Sequence, residues 1–467
     1  MLFPTLEFFG FFVVVLLLAH ALRFHVEARK LMLIAASYVF YAGWNWHFCF
    51  LLAGSSLWSY GAGRLLGAVA GARARAWILR AAIGGQLLLL GTFKYFDFFV
   101  GSANEFLHSV GFGYELPFVE IILPVGISFF TFHGISYVMD VARGDVPVCR
   151  RLPDMLLYMS FFPQLVAGPI VRASFFLPQI GQDTVEPIAI GPPILLILGG
   201  LFKKVVIANY VATNLVDPVF FDPDSFPFAD LLFAVYGYAV QIYCDFSAYS
   251  DIAIGLAGLL GYYFPPNFNQ PYRAQSLREF WRRWHISLSS WLRDYLYKPI
   301  GGSRGSRWFT ARNLMISMVL GGLWHGAAWK FVAWGALHGI ALTVEHFVAP
   351  NGWARSRLGK VLAIIVVFHV VCLGWIFFRA DSFADAVYYL GDLAKFGGGI
   401  SQLSPLTLLL VALGMGLNFV PLRWVIRTFH GMMTWPEWLV GSLAGVGIVV
   451  VNSLGPDGVA PFIYFQF

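Results

Sequence analysis

His325 has the setting that points most directly to chemistry. It stands in Gly321-Gly322-Leu323-Trp324-His325-Gly326-Ala327-Ala328-Trp329, between two apolar runs. Ionisable side chains at membrane depth are costly and mark functional positions by default. A neutral imidazole can act there as a general base or a nucleophile without a permanent charge. The glycines around it let backbone or substrate come close. A packing histidine bonded to a carbonyl is the plain alternative.

His285, in Phe280-Trp281-Arg282-Arg283-Trp284-His285-Ile286-Ser287, is a second candidate, with an interfacial histidine among arginines as its competing reading. A third cluster runs from Gln241 to Asp251. Its aspartates, Asp245 and Asp251, and its hydroxyl-bearing side chains suggest a hydrated lining between apolar spans, or structural carboxylates paired to nearby arginines. His133, His338 and His369 read as satisfied core histidines. No Ser–His–Asp array, P-loop or dinucleotide fingerprint occurs. Neither His285 nor His325 has acids or cysteines at metal-ligand spacing, so no metal is expected. Cys49, Cys149, Cys244 and Cys372 are scattered and read as small buried hydrophobes.

The elements that must hold these residues follow from composition. Of 467 residues 58% are apolar and only 12% charged, with a mean hydropathy of +0.70. A soluble domain carries roughly 25% charged residues, so the outer surface of this chain must face something other than water. Soluble multidomain, disordered, collagenous, coiled-coil and disulfide-rich secreted classes are excluded. The expected fold class is an all-α polytopic membrane protein. The first apolar run, Leu6 to Leu22, reads as a retained helix, because no basic residue precedes it and no cleavage site follows.

Crossing a bilayer takes about 20 apolar residues. Several apolar runs are shorter, among them 188–202, 205–216, 231–245, 252–264 and 313–324. They are expected to be broken or re-entrant, which requires protein or water around them; about eleven true crossings remain. Charge alternation orients the loops. Segments 64–80 and 142–151 are basic and expected in the cytosol; 101–120 (Glu105, Glu115, Glu120) and 217–230 (Asp217, Asp222, Asp224, Asp230) are acidic and expected outside, as is the N-terminus.

One segment dominates. Pro271 to Arg312 holds nine bases against Glu279 and Asp294, a surplus of seven in a chain of net +6. Such a concentration marks a cytosolic face and attracts anions; a surface bound to lipid headgroups is the competing reading. Trp281, Trp284, His285, Ser287, Trp291 and Tyr295 are interleaved with the bases, which favours a structured pocket. Both 271–312 and 345–360 read as cytosolic, so 313–344 must go in and return. Arg312 to His325 is about 20 Å of helix, which puts the imidazole near the deep end of a hairpin or re-entrant pair.

Longer motifs carry a resemblance. They are Leu123 to Phe132, Phe162-Pro163-Gln164-Leu165-Val166-Ala167-Gly168-Pro169-Ile170, Asp245 to Gly255, Glu279 to Tyr297, Ile300-Gly301-Gly302-Ser303-Arg304, Leu320 to Trp329 and the C-terminal Phe462-Ile463-Tyr464-Phe465-Gln466-Phe467. From about residue 120 onward the chain resembles the membrane-bound O-acyltransferase (MBOAT) family, bacterial alginate O-acetyltransferase type. Lys298 departs from the apolar residue expected at that place.

The resemblance implies about eleven membrane helices, with short or re-entrant ones, around a central tunnel or funnel. It implies one integral-membrane domain, with peripheral helices in 1–119, a catalytic core in 120–350 and C-terminal helices in 351–467. His325 matches the family's signature catalytic histidine and His285 its upstream histidine. Arg282, Arg283, Trp284, Trp324, Asp245 and Tyr249 are the expected donor- or substrate-contacting residues.

The implied donor is acetyl-CoA, with no tightly bound cofactor. The implied partner is a periplasmic or membrane-anchored acetyltransferase serving a polysaccharide such as alginate in the bacterial inner membrane. Membrane lipids are expected around the chain, and no nucleic acid. Two rivals stand: a D-alanyl exporter of the teichoic-acid type, against which Ile300 to Arg304 and the C-terminal motif argue, and a proton-coupled transporter, against which the absence of repeated halves argues.

Overall fold

The computed structural model describes residues 3, 5–117, 121–182, 189–349 and 356–454. Glu120 of the acidic loop, Arg355 of the basic one and the 462–467 motif lie outside them. Every regular element among the described residues is helical. Backbone groups in lipid must be satisfied within the segment, and helices do this.

Five described helices are long and apolar enough to cross: Ala72–Ser109, Gly191–Phe221, Phe228–Leu259, Trp329–Val348 and Arg357–Arg379. A sixth crossing results if Pro405–Phe419 and Leu422–Met432, bent by 86°, count as one. The protein is therefore multi-pass. Helices such as Val26–Asn45 and Arg307–His325 mix polar residues into their apolar runs, so length and apolarity alone do not reach eleven among the described residues.

Two compact units form. The first comprises Met1–Pro187 with Leu260–Tyr262. Several of its buried polar groups are paired within the unit. Lys30 pairs with Glu27 and Asp154, Arg29 donates to the Leu260 carbonyl, and Gln86 reaches Ser55 and Ser59.

The second unit, Ile188–Leu259 with Tyr263–Phe467, holds every candidate site residue. Here two expectations are corrected. Runs 188–202 and 205–216 are not separate pieces but one helix, Gly191–Phe221, and 231–245 with 252–264 belongs largely to one helix, Phe228–Leu259. The first run widens into π-helical turns at Phe202–Ala208 and Ala212–Val216 without leaving the helix, and the charges near the expected breaks are neutralised in place. Lys203 binds Asp251 at 2.5 Å and Lys204 binds Asp245 at 3.0 Å. The carboxylates' partners are thus lysines of a neighbouring helix, not arginines.

Contacts between loops reveal which segments share an end of this unit. Arg379 pairs with Asp217, Tyr388 donates to Asp224, and Ser401 binds Asp230, gathering 379–402 with 217–230. At the other end, Gln270 donates to the Val420 carbonyl, Tyr272 N–H to Asn418, and Leu277 N–H to Glu345. The start of the basic segment, 270–278, thus lies with 345–349 and 418–420.

Candidate active site

Arg307–His325 and Trp329–Val348 form a tight helical hairpin whose turn is Gly326-Ala327-Ala328. Ser306 opens it by accepting from Phe309 N–H at 3.1 Å, an ordinary N-cap. Small residues let the two helices touch, as is usual inside membranes. A Cβ on Gly322 would stand 2.2 Å from the Phe331 carbonyl oxygen, and one on Gly335 2.4 Å from that of Met318.

His325 is the last residue of the first helix, at the tip, as the charge pattern requires. Its imidazole packs against Trp324 (ring centroids 5.1 Å), Trp334 (5.0 Å) and Phe378 (5.2 Å). Phe378 lies one residue before the end of Arg357–Arg379, so the imidazole is level with that helix's far end. Five per cent of the residue remains exposed. Lys330, a charge the sequence reading passed over, anchors the turn by donating to the Ala380 carbonyl at 2.6 Å.

His285 belongs to a different device. It separates the short helices Leu277–Arg283 and Ile286–Trp291 and adopts the left-handed conformation, φ 41°. For a residue with a Cβ this is uncommon and occurs at functional sites more often than elsewhere. The turn directs the ring inward, where it is fully buried against Phe246 (4.5 Å) and Trp324 (5.8 Å). Trp324 therefore stands between the two histidines. Burial lowers the His285 imidazole to about 3, so it is neutral at physiological pH. It does not face the arginines that precede it.

The other expected residues divide. Trp284 is interior, packed on Phe268, Phe280 and Trp375. Arg283 is bound to Glu279 at 2.7 Å, while Arg282 is exposed and makes no ion pair among the described residues. Asp245 is held by Lys204, whose ammonium lies 5.6 Å from the Tyr249 ring centroid; these residues form a buried polar cluster within helices, not a lining between spans. Lys298, the departure from the family pattern, pairs with Asp294.

Of the nine bases in 271–312, Arg278, Arg283, Arg293 and Lys298 bind Glu345, Glu279 and Asp294. Arg282, Arg304 and Arg307 stay exposed, with no acidic partner among the described residues.

Expectations for three further histidines separate as well. His369 is satisfied, bonded to Tyr236 and the Ile365 carbonyl. His133 and His338 correct the reading of satisfied core histidines: both are fully buried, and neither ring nitrogen of either has a hydrogen-bond partner among the described residues. His338 lies in an aromatic box with Trp334 (4.9 Å) and Trp281 (5.1 Å). The Nε1 atoms of both tryptophans are likewise without partners among the described residues. An aromatic path thus leads from His325 through Trp334 and His338 to Trp281, beside Arg282.

Sequence reasoning also missed Lys203, Lys204 and Asn267. Two lysines inside an apolar run carry their own signal, since charges at membrane depth require partners. Asn267 has no comparable mark. Among the described residues no group of three His, Cys, Asp or Glu side chains is close enough to hold a metal ion. Three cysteines are buried and Cys49 is half-buried.

Comparison with known proteins gives consistent results. The sequence profile described as MBOAT, membrane-bound O-acyltransferase family, matches residues 150–377. The protein named Probable alginate O-acetylase AlgI of Pseudomonas aeruginosa is 42% identical over 413 residues, covering 86% of this chain and 76% of that protein. Its namesake in Pseudomonas putida is 38% identical over 469 residues, 94% of each chain. A Helicobacter pylori protein named Peptidoglycan O-acetyltransferase is 37% identical over 400 residues, 79% of this chain and 74% of its own.

Proposed function

The chain belongs to the membrane-bound O-acyltransferase family, and on that premise we propose that it moves an acetyl group from cytosolic acetyl-CoA to a hydroxyl acceptor outside the inner membrane. The acceptor belongs to polysaccharide O-acetylation, the class named in its alginate-acetylating relatives. The observation that carries the reading is His325 at the hairpin tip, level with the far end of Arg357–Arg379, while the start of the basic segment, at Leu277 and Arg278, is bound to Glu345 toward the other end of Trp329–Val348.

In this reading the donor's phosphates meet the exposed Arg282, Arg304 and Arg307. Guanidinium groups suit phosphate because they donate in a planar fork. The pantetheine arm follows the aromatic path, where Trp281, Trp334 and His338 offer buried polar atoms without hydrogen-bond partners among the described residues. Such groups call for a ligand or water.

At the tip, a nitrogen of His325 takes the proton of the acceptor hydroxyl. The freed oxygen attacks the thioester carbonyl, the C–S bond breaks as the C–O bond forms, and the CoA thiolate takes the proton back from the imidazolium. His285, neutral and one tryptophan away, orients the reacting groups. The 271–312 face is cytosolic, the N-terminus is outside, and a periplasmic or membrane-anchored acetyltransferase receives the product group.

General-base catalysis contributes typically 10²–10⁴-fold. His325→Ala should lower CoA release from acetyl-CoA by about that factor in native membranes that contain the acceptor, with the protein still inserted and folded. A folded variant that acetylates at the wild-type rate would refute the assignment. Dependence on a carrier-protein thioester would favour D-alanyl export, and solute flux without CoA release would favour a transporter.

A further inference from the structure

We propose that Asn267 is the positioning residue for His285, the side chain that holds this histidine in its left-handed turn. The proposal rests on the reading that His285 takes part in acyl transfer, and it adds a residue that neither motif nor charge pattern identifies. Asn267 lies eight residues after the long Phe228–Leu259 helix ends, in a loop that runs beside the His285 turn, and only 1% of its surface is exposed.

Every polar group of Asn267 that faces the turn is used. Its backbone carbonyl accepts from Ile286 N–H at 2.9 Å. Its Oδ1 accepts from Ser287 N–H at 3.1 Å and from the Ser287 hydroxyl at 2.9 Å. Its Nδ2 donates to Ser250 Oγ, on the long helix, at 3.1 Å. Two residues on, Asn269 N–H donates to the Arg283 carbonyl at 2.9 Å. The chain is thus tied on both sides of His285, at 283 and at 286–287, and the tie is rooted in a membrane helix.

This arrangement explains a conformation that the residue itself disfavours. A Cβ makes φ near +41° costly, so His285 left to itself would relax toward the extended region and its ring would turn away. Strained backbone persists where its surroundings over-determine it. Here the surroundings are one asparagine side chain and the short loop that carries it. The ring is then delivered between Phe246 and Trp324, with no hydrogen bond among the described residues to hold it there directly. Backbone placement therefore does the orienting.

The test uses the full-length protein. CoA release from acetyl-CoA is measured in native membranes, and carbethoxylation of His285 by diethyl pyrocarbonate is followed by mass spectrometry on the detergent-solubilised chain. Asn267→Ala should lower kcat by about 100-fold, the scale of an ångström-level misplacement, with KM for acetyl-CoA held within about twofold. His285, shielded in the wild type, should label about tenfold faster as the turn opens. Asn267→Asp keeps an acceptor for Ser287 and can accept from the Ser250 hydroxyl, so both readouts should fall between those of the wild type and Asn267→Ala.

If Asn267→Ala does not fold, Ser250→Ala cuts only the tie to the long helix and should move both readouts in the same direction. A folded Asn267→Ala with wild-type kcat, or one that loses activity while His285 stays shielded, overturns the proposal. His285→Ala separates the two layers: if it turns over normally, the catalytic reading of His285 falls, and the labelling result alone decides whether Asn267 positions it.

Discussion

Lys204→Met offers the most direct check on how this protein tolerates charge in its interior. Lys204 and Asp245 lie 3.0 Å apart with side chains only 2% and 4% exposed, whereas the neighbouring Lys203–Asp251 pair is 13% and 32% exposed. Removing one partner of a buried pair leaves an uncompensated charge and costs about 3–5 kcal/mol; replacing both partners is far milder. Lys204→Met and Asp245→Asn should therefore each destabilise by about 3–5 kcal/mol. The double variant should lose only about 1–3 kcal/mol, the cost of an imperfectly satisfied amide.

The cycle thus predicts a coupling of several kcal/mol. Lys203→Met, at the more hydrated pair, should lose about 1 kcal/mol or less. Chemical unfolding in mixed micelles, followed by tryptophan fluorescence, supplies the four values. If Lys204→Met costs under about 1 kcal/mol, or if the double variant costs as much as the two singles added, the buried-pair reasoning fails.

Other outcomes follow from the same geometry. Gly322→Ala places a methyl group against the Phe331 carbonyl oxygen, which is backbone and cannot swing aside. It should cost about 1–3 kcal/mol and depress acetyl transfer by shifting His325, while Gly84→Ala, with open space around it, should be neutral in both assays. Glu345→Ala removes the carboxylate that receives Leu277 N–H at 2.6 Å and Arg278 Nε at 2.7 Å. A stability loss of about 2 kcal/mol, with faster proteolysis of the 271–312 segment, is expected.

His285 also has a pH signature. Its folded value is lowered to about 3 by burial, so its contribution is complete above the unfolded value of about 6.5 and is lost as pH falls toward 3. His285→Asn should accordingly lose less stability than the wild type between pH 7 and pH 5; equal losses in melting experiments would contradict this.

Much of the site's position was legible from pattern. Apolar runs around His325, with basic segments on either side, point to a hairpin or re-entrant pair with the imidazole near its deep end, and in the structure His325 closes the first helix of a hairpin at the Gly326-Ala327-Ala328 turn. The long helices were harder to read. Asp245 and Asp251 suggested a hydrated interruption because a carboxylate in an apolar run is costly alone, and nothing local discloses the two lysines some forty residues earlier that neutralise them. His338 reads from sequence as a satisfied core histidine, because its aromatic box is assembled from segments far apart in the chain.

By itself the sequence determined that this chain lives in a membrane, and it singled out His325 as the imidazole set between two apolar runs. Those properties arise from each residue's own transfer between water and lipid, and so they can be summed along the chain. Only the tertiary structure decided that Trp324 stands between His285 and His325, that Asn267 grips the turn carrying His285, and that Phe378 sets His325 level with the far end of its helix. Hydrogen bonds and ring contacts depend on ångström-scale placement of residues distant in the chain, and no local tendency of either partner encodes that placement.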